Sequence, residues 1–205
     1  MSTSPLRPWG EVSRSLLRDT VLRAADRLLA ERAWSDITMA QVARAAGVSR
    51  QTVYNEFGTR RDLALAYAMW AGDQLLDEVE RCVADHRDDP LAALVAAFTV
   101  FLDLGAGHPL VRSLADSSGA DDLASVLAGT RRSSIVGNAS SRLAEIIAAA
   151  WPEFPSEAVS VASEVLVRLA VSHLLQPTTD HEDAARQVAL VFAPFLAQAR
   201  TAPSV

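Results

Sequence analysis

The sequence predicts an all-α protein, a three-helix N-terminal head carrying a helix-turn-helix on a larger helical body. Three observations carry that expectation. Half of the 205 residues are hydrophobic while only 6% are aromatic, and good helix formers are dense without alternating Val/Ile/Thr runs. Charge divides the chain. Residues 1–67 hold ten arginines against seven acids, a balance of +3, and residues 68–205 hold nine against eighteen, a balance of −9. A basic head on an acidic body suits a protein that meets a polyanion with one end. Finally, residues 38–57, "TMAQVARAAGVSRQTVYNEF", join two short helical patterns through a glycine, and the second pattern is crowded with polar side chains.

The elements follow in order. Leu17, Val21, Ala24, Ala25, Leu28 and Leu29 recur at helical spacing and predict a first helix over about 13–32. Thr38 with Gln41 forms a capping-box signature for a second, which ends at Gly47, a residue free to take positive φ. Ser49 caps a third helix to about Phe57. Gly58 ends it, and Thr59 with Asp62 opens a long helix to about His86. That helix carries Leu65, Met69, Gly72, Leu76, Val79 and Val83 on one face and Leu63, Tyr67 and Trp70 on another, so it packs on two sides. Residues 90–104 are apolar nearly all round, as in a helix buried within a domain. A short helix in "GHPLVRSLAD" and helices over about 121–150, 156–175 and 180–200 complete the body, with Pro194 inside the last. The tails, about 1–11 and 201–205, read as unstructured. Domains are expected at 12–67 and 68–205.

Within residues 38–57, Val42, Ala46, Val48 and Val53 supply the contacts that lock two helices at a steep angle, and Ala43 and Gly47 are small at the crossing. The outer face of the second helix is then free. Arg50 and Gln51 lie in its first turn, which reaches base edges in a recognition helix; arginine suits guanine and glutamine suits adenine. Ser49, Thr52, Tyr54 and Thr59 carry hydroxyls suited to phosphate oxygens, and Arg60 adds positive potential. A solvated polar face on an ordinary helical hairpin is the alternative.

Over about residues 18–67 the chain resembles the tetracycline-repressor (TetR) family of bacterial transcription regulators. Trp34 to Thr38 matches an aromatic-x-x-x-Thr element, and "VYNEFGTRRDL" is similar to the family's "LYYHFxxKxxL". The resemblance implies phosphate contacts by Thr38, Ser49, Thr52, Tyr54 and Arg60, and base contacts by Arg50, Gln51 and Asn55. The chain departs from the pattern at Ala33 and at Asn55-Glu56, which replaces the frequent Tyr-His. Ala33 replaces a usual glycine, at a cost of about 1 kcal/mol if that residue is left-handed. Glu56 puts an anion near DNA, to be turned away or paired, with Arg60 at i+4 the nearest partner in sequence.

The resemblance further implies a small-molecule pocket in the body and a homodimer through about residues 156–200. Val188, Val191, Phe192, Phe195 and Ala199 make one stripe, and Val161, Val165, Leu166, Leu169 and Leu174 another, although such stripes serve equally as a core within one chain. Trp70, Phe98, Phe101, Leu102, Asn138, Arg142, Trp151 and His173 are candidate pocket residues, each also explicable as packing. A hydrophobic effector fits the apolar run at 91–104. Glu164 and Arg168, at i and i+4, are expected to pair.

Other functions find little purchase. The carboxylates of "DHRDDP" (85–90) read as a solvated helix end rather than a metal site, and no cofactor is expected. Cys82, the single cysteine, reads as an apolar filler and excludes an internal disulfide. No phosphate-cradling glycine loop or nucleophile elbow appears, so no enzymatic activity is expected. No apolar run reaches the ~18 residues of a membrane span, and no signal peptide opens the chain, which points to the cytoplasm. The reading is a DNA-binding regulator, most simply a repressor released from a palindromic duplex operator by a small hydrophobic inducer. The alternative is a regulator whose body binds a protein partner or nothing.

Overall fold

A computed structural model describes residues 9–116 and 135–199. The expected tail over residues 1–8, the helical segment 121–134 and the chain end from residue 200 lie outside the described residues. All described regular structure is helical: α1 (Trp9–Glu31), a 3-10 turn (Trp34–Asp36), α2 (Met39–Ala46), α3 (Arg50–Phe57), α4 (Arg60–Asp85), α5 (Pro90–Gly107), α6 (Pro109–Asp116), α7 (Ile135–Ala150), α8 (Ser156–Leu175) and α9 (His181–Ala199). The chain forms two compact units, residues 1–67 and 68–205, and α4 contributes its first residues to one and the remainder to the other.

In the first unit, α1 begins at Trp9 rather than near Ser13 and presents Val21, Leu22, Ala24, Ala25 and Leu29 to the core. Met39, Val42 and Ala43 of α2 and Val53 and Phe57 of α3 lie at helical spacing and are buried against them. Trp34 is fully buried, with its indole stacked on Tyr67 at 6.1 Å and the Arg60 guanidinium 5.3 Å from its ring. The Tyr67 hydroxyl donates to Asp26 at 2.7 Å, tying α4 to α1. Ala33 adopts φ −65°, ψ 152°, an extended conformation open to any residue, so the strain expected of a left-handed alanine does not arise.

In the second unit, α5 is the central helix. It packs along α9 and α8, while α7 lies along α8. Asp89 caps α5 by accepting from the amides of Leu91 and Ala92 at 3.0 and 3.1 Å, which gives one acid of the 85–90 cluster a structural role. One cluster joins Leu76, Val79 and Val83 of α4 to Ala93, Ala97, Ile146, Trp151 and Phe154. Another joins Phe98 and Leu102 to Ala162, Leu166, Val188 and Phe192. The expectation that no apolar segment reaches membrane-spanning length is corrected: α5 (18 residues, mean hydropathy 1.8) and α8 (20 residues, 1.6) both reach it. Both place residues in the core, Phe98 and Leu102 from α5 and Leu166 and Ala170 from α8, and such packing explains their composition.

Candidate nucleic-acid interface and apolar cavity

The helix-turn-helix is built by its caps. Thr38 accepts from the Gln41 amide at 3.3 Å, and Gln41 Oε1 accepts from the Thr38 amide at 2.7 Å, so the capping box closes reciprocally. Gly47 ends α2 at φ 71°, ψ 24°, and a Cβ there would meet nothing within 4 Å. Its requirement is therefore the left-handed turn and not close approach, contrary to the expectation of a tight crossing. Ser49 Oγ accepts from the Thr52 amide at 3.0 Å and caps α3. α3 needs that cap, because Thr52, Val53, Tyr54 and Asn55 are weak helix formers and only Val53 and Phe57 are buried.

The free face of α3 holds the residues expected to meet DNA. Arg50, Gln51, Tyr54 and Asn55 are exposed, and Thr52 is half-buried. Arg50 donates to the Tyr54 hydroxyl at 3.3 Å with its guanidinium 5.2 Å from the Tyr54 ring, and Gln51 Nε2 donates to Asn55 Oδ1 at 2.7 Å. These i,i+4 pairs limit the rotamers of side chains that would otherwise wander, which lowers the entropic cost of docking. Thr59 stands at the start of α4 in a second reciprocal cap: its Oγ1 accepts from the Asp62 amide at 3.1 Å, and Asp62 Oδ2 accepts from the Thr59 hydroxyl and amide at 2.6 and 3.0 Å, which draws the Asp62 carboxyl below its usual range.

Arg60, expected at the phosphate backbone, also makes contacts within the first unit. Its Nε donates to Ile37 O at 2.9 Å and its Nη2 to Trp34 O. Its guanidinium thus supplies a donor to the Ile37 carbonyl and a second donor to Trp34 O, which already accepts from the Ile37 amide at 3.0 Å, and so braces that turn. It does not pair with Glu56. That carboxylate, with its side chain only 8% exposed, accepts from Arg14 Nε at 2.8 Å and from Arg18 Nη1 at 2.7 Å, both on α1. Sequence distance hid the partners. The available signal was the i,i+4 spacing of Arg14 and Arg18 beside an acid that needed a counter-charge.

The second unit contains an apolar cavity of about 160 Å³, walled by α4 to α9. Phe98, Phe101 and Trp151 line it as expected, with Leu75, Val79, Leu143, Ile147 and Leu174 among their neighbours. Trp151 Nε1 is committed to Arg87 O at 2.8 Å, so the indole offers the cavity hydrocarbon only. His108 supplies the one ionisable side chain among the described lining residues, and its Nδ1 accepts from the Leu110 amide at 3.2 Å. The remaining candidates lie elsewhere. Arg142 turns outward to Asp77 and Glu80 at 3.1 and 2.7 Å, an arrangement that raises its already high pKa through the Glu80 hydrogen bond. Leu102 is sealed in the adjoining packing, and His173 sets its ring edge-on to Phe98 at 6.0 Å. Asn138 and Trp70 are half-buried and outside the lining set. Burial pushes the Cys82 thiol up, as do Asp85 and Glu78, which suits a filler rather than a nucleophile.

The expected dimer stripes also divide. Val188 and Phe192 are buried within the chain's own core, and Phe195 packs partly buried against the same core. Val161 (59% exposed), Val165 and Val191 (73%) instead face outward, joined by Leu190 (77%), which the sequence stripes did not include. Glu164 and Arg168 pair as expected, at 2.9 Å.

Comparison with known proteins supplies the frame for these two sites. Residues 21–67 match the family model described as bacterial regulatory proteins, tetR family, and residues 89–194 match that of the bacterial tetracyclin repressor C-terminal domain. The HTH-type transcriptional regulator AlkX of Mycobacterium tuberculosis is 39% identical over 92% of this chain and 89% of its own length. The crystal structure of the TetR family repressor AlkX from a Dietzia strain, implicated in biodegradation of n-alkanes, is 30% identical with a TM-score of 0.77, over 88% of this chain and 97% of that one. Thermus thermophilus FadR, solved with lauroyl-CoA, has a TM-score of 0.56 over 92% of this chain and 98% of its own, at 20% identity, a likeness of fold alone.

Proposed function

The chain belongs to the tetR family of bacterial regulatory proteins, and from that premise we propose a ligand-responsive repressor that leaves a palindromic operator when an apolar inducer enters the second unit. The observation that carries this reading is the hydrocarbon cavity. At about 160 Å³ it is close to the ~150 Å³ engineered cavity that stays dry and accepts benzene. Such a wall offers dispersion and dehydration but no counter-charge, so it selects uncharged apolar chains over ions. The relation to a repressor implicated in n-alkane biodegradation supports a saturated chain, or a derivative with one polar end, as ligand class. A longer chain requires lining side chains to move aside.

DNA is read by α3, with Arg50, Gln51 and Asn55 at base edges and Thr38, Ser49, Thr52, Tyr54 and Thr59 at phosphates. Arg60 contributes by holding the Trp34–Ile37 turn as well as by its charge. Two heads are needed for two half-sites. Val161, Val165, Leu190 and Val191 form the homodimer interface, because exposed branched apolar residues on two long helices are what an isologous bundle buries. The protein works as a cytoplasmic regulator without catalysis.

The test begins by selecting a preferred duplex from a random pool. A palindromic site bound cooperatively, and released on adding a medium-chain alkane or alkanol, is the expected result. Tight binding to that site, undisturbed by any apolar chain, would leave a regulator and remove the inducer. Substitution Arg50→Ala should relax discrimination at one base pair per half-site, costing about 1–3 kcal/mol there.

A further inference from the structure

Glu56 is an odd residue for a helix that approaches DNA, since a carboxylate repels phosphates. It is nevertheless well satisfied. Both its oxygens accept from Arg14 Nε, at 2.8 and 3.1 Å, and Oε1 also accepts from Arg18 Nη1 at 2.7 Å. The Arg18 guanidinium lies 4.8 Å from the centre of the Phe57 ring, so the same arginine grips two successive α3 residues. Burial raises the carboxyl's pKa, but hydrogen bonds from Arg18 and Arg14 and their charges outweigh it and hold Glu56 below the usual carboxylate range. It is therefore an anion at neutral pH.

Two consequences follow from this geometry. The carboxylate fixes the C-terminal end of α3 against α1, and so sets how the exposed face of Arg50, Gln51 and Asn55 is turned. It also occupies two guanidiniums that still retain solvent exposure. An unoccupied arginine on a DNA-binding unit grips any phosphate, which raises affinity for every sequence and steepens its salt dependence. Tying such a cation to a fixed acid removes that sequence-blind term and leaves the base-reading term intact.

We propose that Glu56 is a specificity-determining residue, a buried carboxylate that positions α3 and withholds Arg14 and Arg18 from indiscriminate phosphate contact. The inference rests on α3 being the DNA-reading helix. It differs from a plain structural role in a measurable way. Loss of folded protein lowers affinity for all duplexes by one factor, whereas loss of this device changes the ratio between them.

The experiment measures Glu56→Gln against the selected duplex and a random duplex of equal length, across a salt series, with folded fraction followed by circular dichroism. Glutamine keeps the size and removes the charge. The expected result is a tenfold or greater fall in the selected-to-random ratio, with random-duplex affinity kept or raised and a steeper salt slope. A ratio within threefold of wild type, or a fall in random-duplex affinity, overturns the proposal. Should that variant not fold, Arg14→Gln replaces it, since Arg14 is mostly exposed and Arg18 still serves Glu56. Its random-duplex affinity should then stay within twofold of wild type. A clear loss, with the salt slope shallower by about one counterion, would place Arg14 on phosphate and overturn the proposal. If wild type selects no duplex from the pool, the reading of α3 itself fails, an outcome separate from either variant's.

Discussion

The two units spend their polar groups in opposite ways. In residues 1–67 polar side chains do structural work at every turn: Thr38 and Gln41, Ser49 and Thr52, Thr59 and Asp62, Arg60 on two carbonyls, and Glu56 between two arginines. Among the described residues of the second unit, charged side chains such as Arg142 and the Glu164–Arg168 pair lie at the surface, Ser163 and the Thr99 hydroxyl are buried, and the lining of the cavity is almost wholly hydrocarbon. Directed bonds fix one geometry, which a surface that must match a groove requires. Dispersion contacts are nearly isotropic and tolerate rearrangement, which suits a wall that must admit a guest.

This contrast can be broken by mutation, and the largest effect lies in the first unit. Trp34→Ala removes the indole stacked between Tyr67 and Arg60, at an expected cost of about 3–5 kcal/mol. Urea unfolding should show the first unit lost, with DNA binding gone and apolar-ligand binding by the second unit retained. Loss of both functions together would mean that the units do not fold independently.

The exposed and buried apolar residues of α9 give the next test. Phe192→Asp buries a charge in the core and should destabilise the chain by several kcal/mol. Leu190→Asp lies on the outward face, so chain stability should change by no more than about 0.5 kcal/mol while the dimer dissociates in sedimentation. A Leu190→Asp dimer of undiminished strength would move the interface elsewhere.

Tyr67→Phe leaves Asp26 without its donor and should cost about 1.5–3 kcal/mol. Burial, reinforced by the Asp26 hydrogen bond, pushes the Tyr67 phenol far above its ordinary 10.0. The folded state therefore keeps a proton that the unfolded state releases, and this group's contribution is full below pH 10 and declines above it. Denaturation at pH 9 and pH 11 should show that alkaline loss in wild type and less of it in the phenylalanine variant.

The smallest effect has the opposite sign. Gly72 lines the cavity inside α4, and a Cβ there would meet nothing within 4 Å. Gly72→Ala should raise stability by about 0.5–1 kcal/mol through helix propensity, read as a higher Tm, while the added methyl takes space from the ligand.

The same contrast explains what was legible in the sequence. Caps are local, so Thr38–Gln41, Ser49–Thr52 and Thr59–Asp62 could be read from spacings of three, and the α3 face followed once its buried positions were spent. For Glu56, to be turned away or paired, only Arg60 offered itself as a partner, because i+4 is visible in a linear chain and a partner 42 positions away is not. In the second unit apolar periodicity located helices but could not say which stripe faced which neighbour. Phe192 and Val191 are adjacent in sequence and opposite in environment. Arg142, Asn138 and His173 were candidates for the cavity, or for ordinary packing, because they stood on the helices around the body's centre, yet a lining that is hydrocarbon apart from His108 leaves such residues outside it.

The central claim is that apolar binding in the second unit opposes DNA binding by the first. Its most direct test is calorimetric titration of a medium-chain alkanol into the protein with and without the selected operator. Coupling free energy is shared, so a ligand that weakens operator binding a hundredfold, about 2.7 kcal/mol, must bind the operator complex a hundredfold more weakly. The account predicts that matching loss. Equal alkanol affinity in the two titrations would contradict it, however tightly the alkanol bound.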